Sequence, residues 1–291
     1  EQRSSATIYT PTTSTPVTNY IPVLKTAAIN KPRIDYDPIT NECKGLLIEE
    51  SRTNLLTYSS DFSNTAWTKT NSTITTAADV APDGTLTAQL LVGNTTAASH
   101  WQGGSSTVTN GTSYTLSFYV KAAQYQYCAV YDVNASGFVI YNISNGTLYG
   151  ATASSYSIAS VGNGWFRISV TATATSTTGY SRIYLHNGVT NNFAGDGYSG
   201  ILIWGAQLEA GAFATSYIPT IASQVTRSAD SAVMTGSNFS SWWNAQQGTF
   251  TTELSTEFTS AQNTSGSKYF LVSIGLPYYF LYTNINDNNI R

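Results

Sequence analysis

Six Asn-Gly or Asp-Gly dipeptides limit what this chain can fold into more than any other feature. They are Asp83-Gly84, Asn110-Gly111, Asn145-Gly146, Asn163-Gly164, Asn187-Gly188 and Asp196-Gly197. Each supplies the positive φ angles that tight β-turns demand. Between and beside them lie short runs that read as strands: Ala66–Thr76, Thr87–Gly93, Ser99–Gly103, Ser113–Ala122, Tyr125–Asn134, Phe138–Ile143, Thr147–Tyr156, Trp165–Ala174, Tyr180–Asn187 and Gly200–Leu208. Short strands in series, bounded by turn residues, predict an antiparallel sandwich. The one helical hint, at Thr87 to Leu91, fits a strand equally well.

Composition agrees with an all-β reading. Twenty Tyr and six Trp favour strands, and charged residues are only 10% of the chain, which argues against a helical bundle. The net charge is −3 with no basic run, so the clustered positive surface that nucleic-acid binding needs is not expected. No apolar run reaches membrane-spanning length, and no signal peptide opens the chain. Two cysteines, Cys43 and Cys128, are too few for a disulfide scaffold, and whether they pair is left open. The first residue is Glu1 and the single Met is Met234, so the sequence reads as a processed product or a piece of a longer polypeptide.

The Thr- and Pro-rich opening, residues 1–44, favours extended backbone, either as an arm or as a disordered leader. Arg33-Ile-Asp-Tyr-Asp37, a turn at Pro38 to Lys44 and then Leu46 to Ile48 predict a hairpin. The carboxylates of Asp35, Asp37 and Glu42 lack the glycine and terminal glutamate of an EF-hand, and a turn with solvated carboxylates is expected. In Gly45 to Leu56, the run Leu46 to Ile48 is expected to enter a core. Glu49, Glu50 and Arg52 follow, where buried charge must be paired, and the stretch reads as the join between arm and sandwich. An ordinary edge strand with solvated charges is the alternative.

A tetrapeptide recurs. Asn19-Tyr-Ile-Pro22 and Ser216-Tyr-Ile-Pro219 each precede a Ser/Thr/Ala-rich stretch and an arginine, Arg33 and Arg227. They are either equivalent connectors or a chance product of biased composition. After Pro219 the pattern weakens through a linker, 220–238. From 239 a second β unit begins, with clean alternation from Phe250 to Phe258 and further strands at Tyr269 to Ile274 and Tyr278 to Thr283. Trp242-Trp243 would suit a subunit contact.

Catalysis finds little support. The two histidines have no zinc-type spacing, no nucleophile elbow or phosphate loop is present, and adjacent Glu49 and Glu50 would point to opposite faces of a strand. Binding finds more. Strand alternation leaves Tyr119 and Lys121 on one face of Ser113–Ala122, sets Tyr125, Tyr127 and Tyr131 on one face of the next run, and puts Arg182, Tyr184 and His186 on one face of Tyr180–Asn187. Trp101 stands beside His100 and Gln102. Rings beside amide and charged donors suit sugars, because rings stack on pyranose C–H faces and polar groups read hydroxyls. The same tyrosines would also stabilise a sheet that binds nothing. Trp67, Trp165 and Trp204 sit in apolar patterns and are assigned to the core.

Two segments carry a family resemblance. Arg33-Ile-Asp-Tyr-Asp-Pro38 followed by Gly45-Leu-Leu-Ile-Glu-Glu-Ser-Arg-Thr-Asn-Leu-Leu56 resembles the entry segment of bacteriophage tail-fibre and other virion proteins. Asp61-Phe62, Ala66-Trp67, Ala81-Pro-Asp-Gly-Thr85, Ser117-Phe-Tyr-Val-Lys-Ala122 and the closing run Ile203 to Pro219 are similar to the jelly-roll module that follows it, which looks like the carbohydrate-binding modules of xylanases. Residues 239–291 resemble the start of a laminin-G or concanavalin-like sandwich. The resemblance implies an all-β chain: an extended arm at 1–44, an antiparallel jelly-roll β-sandwich at 45–219 and a partial second β-sandwich at 239–291. It also implies a homotrimeric virion adhesin outside the cell that meets host surface polysaccharide and other virion proteins, read with the composition as non-catalytic, with no nucleic acid and no membrane insertion; a structural fibre spacer or capsid decoration protein, and the non-catalytic part of a polysaccharide depolymerase, are the alternatives. Modules of this shape often hold a structural calcium (Ca2+), though no motif here identifies its ligands.

Overall fold

The turn dipeptides adopt the backbone that their residue types favour. In a computed structural model of the chain, all six turn glycines have φ between +75° and +92°. Asn163 joins its glycine at +54°, the doubly left-handed turn that suits a two-residue hairpin. The structure describes residues 5–10, 21–28, 31–232, 237, 241, 269–273, 280–284 and 289–290. Two compact units emerge, Glu1–Ser231 and Ala232–Arg291.

The first unit opens with β1 (Ser5–Thr10), β2 (Ile21–Lys25), β3 (Ile34–Tyr36), β4 (Cys43–Leu46) and β5 (Arg52–Asn54). The sandwich then runs through β6 (Thr68–Thr70), β7 (Ser72–Asp79), β8 (Ala88–Gly93), β9 (Ala97–Ser99), β10 (Trp101–Thr107), β11 (Ser113–Ala122), β12 (Tyr127–Tyr131) and β13 (Phe138–Asn142). It continues with β14 (Thr147–Ala151), β15 (Ser155–Gly162), β16 (Trp165–Thr173), β17 (Thr178–His186), β18 (Asn192–Ala194), β19 (Gly200–Ala210) and β20 (Val225–Arg227). Two six-stranded sheets result, ordered β14-β13-β12-β17-β10-β6 and β15-β16-β11-β19-β8-β7. Every pairing within them is antiparallel. From β10 to β12 and again from β16 to β17, successive strands cross from one sheet to the other, the winding of a jelly roll.

Alternation along each strand sends one set of side chains between the sheets. Phe62, Leu116, Phe118, Val130, Tyr141, Ile168, Ile183, Leu185 and Ile203 are fully buried there, each contributing about 1.5–3 kcal/mol of transfer free energy. Trp67 belongs to this core, and the buried Tyr141 hydroxyl donates to the Ser169 carbonyl at 2.5 Å. A second cluster covers the outside of the second sheet. It comprises Ala81, Ala88, Tyr119, Trp165, Leu202 and Trp204, with Leu24, Leu90, Val161 and Tyr217 against it. The indole N–H groups of Trp165 and Trp204 donate to Val80 O and Thr87 Oγ1, both at 3.1 Å.

The Gly45–Leu56 stretch inverts the expected burial. β3 and β4 form the predicted hairpin, but Leu46 and Ile48 are 49% and 52% exposed and enter no core. Parity gives the reason: Leu46, Ile48 and Glu50 face out, so Leu47 and Glu49 face in. Glu49, with a side chain only 9% exposed, accepts from Arg33 at 2.5 Å and from the Ser216 amide at 2.7 Å, and pairs with Arg227 at 2.8 Å. Arg33 also pairs with Asp230, which accepts from the Glu49 amide. The fully buried Asn54 donates to Ala206 O and Ile218 O and accepts from the amides of Leu56 and Leu208, which uses its whole hydrogen-bonding capacity.

Two further expectations change. The opening is no simple extended arm, because β1 and β2 pair antiparallel. The unit continues past Pro219, since β20 pairs with β5 and places Arg227 opposite Arg52. Both cysteines are free, Cys43 exposed and Cys128 buried, and burial raises the Cys128 thiol pKa well above its ordinary value. In the second unit β21 (Tyr269–Ser273), β22 (Phe280–Asn284) and β23 (Asn289–Ile290) form an antiparallel sheet. The alternation at Phe250 to Phe258, Trp242-Trp243 and the Asn19-Tyr20 half of the repeated tetrapeptide lie outside the described residues.

Candidate functional site

The outer face of the first sheet carries most of the expected ring residues. Registers align Trp101, Tyr184, Ala129 and Ile140 across β10, β17, β12 and β13. A neighbouring row runs Gly103, Arg182, Tyr131 and Phe138, and another runs His186, Tyr127 and Asn142. The four strands span roughly 14 Å at the usual interstrand spacing. Ring centroids lie close throughout: Tyr131 to Tyr184 4.7 Å, Trp101 to Tyr184 5.9 Å, Tyr131 to Phe138 5.5 Å and Tyr127 to Tyr149 4.8 Å. Trp101, Tyr127, Tyr131 and Arg182 are half-buried, Tyr149 is exposed, and Tyr184 and His186 form the buried floor.

Arg182 is the cation of this wall. Its guanidinium lies 4.7 Å from the Trp101 ring centre and 4.5 Å from that of Tyr180, both within cation–π range. Gly103, directly opposite, leaves room for the arginine stem, because a Cβ there would sit 2.8 Å from Arg182 Cγ. Burial lowers the His186 pKa, and its Nδ1 accepts from the Gly188 amide at 3.0 Å, so this ring is neutral near pH 7. Burial raises the Tyr184 phenol pKa, with Arg182 partly opposing it.

Three predicted residues leave the wall. Tyr119 is 2% exposed in the second cluster on the other sheet, 5.4 Å from Trp204 and 6.0 Å from Tyr217. Lys121 follows it there and pairs with Asp79 at 2.8 Å. Tyr125 precedes β12 and turns against Phe193 at 5.4 Å, at the edge of the main core. Trp101, Tyr127, Tyr131, Arg182, Tyr184 and His186 remain together. Tyr149, Phe138 and Tyr180 join them. Tyr180 and Phe138 were recoverable from strand parity, since each alternates with its strand's core residues. Tyr149 was harder to find because a bulge shifts the β13–β14 register.

Carboxylates that could serve a calcium ion are engaged locally. Asp37, Asp61, Asp132 and Asp196 each accept from turn amides two to five residues onward. Among the described residues no group of three or more His, Cys, Asp or Glu that could hold a metal ion is gathered. A shallow cleft of about 260 Å³ beside Asp132, Thr152 and Thr171 offers hydroxyls, but its carboxylate is already held by the Asn134, Ser136 and Gly137 amides.

No protein-family model and no curated protein matches the sequence. Among solved structures, the enzymatically active domain of bacteriophage CBA120 tailspike protein 4 is similar at a TM-score of 0.34 and 14% identity. That match covers 54% of this chain, which spans 21% of the tailspike chain.

Proposed function

We propose that this chain is a non-catalytic bacteriophage virion protein, a tail-fibre or receptor-binding component that attaches to host surface glycan through the outer face of the first sheet. The ring wall carries the reading. Half-buried Trp101, Tyr127 and Tyr131 offer apolar faces, and Arg182 and Asn142 sit beside them in register, the mixture that sugar recognition uses. The six strands of this sheet contain no Asp or Glu, which supports a non-catalytic reading over a glycosidase. The virion setting, a homotrimer and contacts with other virion proteins rest on the resemblance of residues 30–230.

A glycan array bearing host surface polysaccharides tests this. Wild-type protein should bind, and Trp101→Ala or Tyr131→Ala should weaken binding at least about fivefold, since a stacked ring contributes roughly 1–3 kcal/mol. An empty array, with host adsorption undiminished in both variants, would refute it. A second reading, a structural spacer, is favoured by how far the rings already cover one another. It predicts the wall packed against a neighbouring protomer.

A further inference from the structure

We propose that the wall selects acidic sugars, with Arg182 receiving the carboxylate of a uronic acid unit; this rests on the glycan-binding reading above. Charge placement carries the inference. The protein is net negative, with 16 acidic and 13 basic residues, yet none of those acids lies on a strand of this sheet. Several basic residues elsewhere in the unit are matched: Arg33 with Glu49 and Asp230, Arg52 with Glu50, Lys121 with Asp79, and Arg227 with Glu49, whereas Arg167 on the other sheet bonds Ser117 and lies over Tyr119. Lys69, the other cation of the sheet, caps the carbonyls of Ser63, Asn64 and Trp67. Arg182 has no carboxylate partner among the described residues. Two rings hold its guanidinium instead, Tyr184 takes one of its hydrogen bonds, and the remaining N–H donors of the five-donor fork are available to a ligand.

This is a preorganised acceptor for a planar anion. A guanidinium fixed over ring faces loses little conformational freedom when it forms two parallel bonds to a carboxylate. Trp101 and Tyr131 flank it, so the sugar ring bearing that carboxylate has an aromatic surface on either side. The neutral His186 adds no competing charge. The fork also fits tetrahedral oxyanions through two parallel bonds, so sulfated sugars on the array decide whether the anion is a carboxylate.

The experiment is an array carrying uronate-bearing bacterial oligosaccharides, their carboxyl-reduced counterparts, sulfated sugars and neutral sugars. The best uronate hit is then titrated against full-length wild type, Arg182→Met and Arg182→Lys. Hits should concentrate among uronates, and carboxyl reduction should cost wild type at least about tenfold in affinity. Arg182→Met should lose the same factor for the uronate and nothing for neutral sugars, and Arg182→Lys should recover only part of it. Equal affinity for native and reduced forms would overturn acidic selection while leaving glycan binding standing. Stronger binding to sulfated sugars would overturn the carboxylate assignment. An empty array would remove both readings. The comparison of native with reduced sugar uses wild type alone, so it decides the matter even if a variant fails to fold.

Discussion

At the residue scale, Glu49 shows how a sparsely charged chain uses its few ions. Burial alone would raise its pKa. The Ser216 amide and the Arg227 and Arg33 guanidinium groups outweigh that and hold it below the usual carboxylate range. The ionised form is therefore favoured in the folded state. Its contribution is complete above the unfolded value, about 4.3, and is lost as pH falls through the lower folded value. His186, lowered by burial, also disfavours folding in acid, but from its unfolded value of about 6.5 downward. Glu49→Gln should cost roughly 2–3 kcal/mol at pH 7, somewhat less than a fully buried pair because Arg227 is 20% exposed. It should also flatten the stability profile below pH 5 while leaving the profile above pH 5 unchanged in shape. Urea unfolding at steps from pH 7 to 3 measures both, and a variant profile parallel to wild type would contradict the assignment.

At the element scale, turns and strands impose different costs on the same substitution. Gly111 has φ of +81° and open space around it, so Gly111→Ala should cost about 1–2 kcal/mol from the backbone alone. Gly200 starts β19 beside β8, where a Cβ would stand 2.1 Å from the Leu91 carbonyl oxygen. Gly200→Ala must part that ladder and should cost up to about 3 kcal/mol, with larger loss of amide protection in β8 than in β12 by hydrogen exchange. The turns were legible in the sequence because Asn-Gly and Asp-Gly have few other uses. The strands followed: β11 covers Ser113–Ala122 as read, and the ambiguous Thr87–Leu91 run became β8. Facing was legible too, since Tyr119 and Tyr127 both point away from the core. Which surface they share was not. Jelly-roll winding sends β11 and β12 to opposite sheets, so outward on one strand is the far side of the molecule from outward on the next. Alternation records inside against outside and carries no label for the sheet.

At the scale of the whole molecule, the first unit depends on residues that composition alone had given to a linker. β20 pairs with β5, and Arg227 and Asp230 complete the ion cluster at Glu49. A chain ending at Pro219 should therefore melt well below one ending at Ser231, by several degrees at least, because it exposes a strand edge and strips Glu49 and Arg33 of a partner each. Equal melting temperatures by circular dichroism would show that these twelve residues contribute nothing. The same cluster has a mechanical meaning. Arg33 arrives ahead of the sandwich and Arg227 departs behind it, yet one carboxylate grips both. Tension applied along the chain on either side of those arginines would load that clasp first and leave both sheets slack until it gave way.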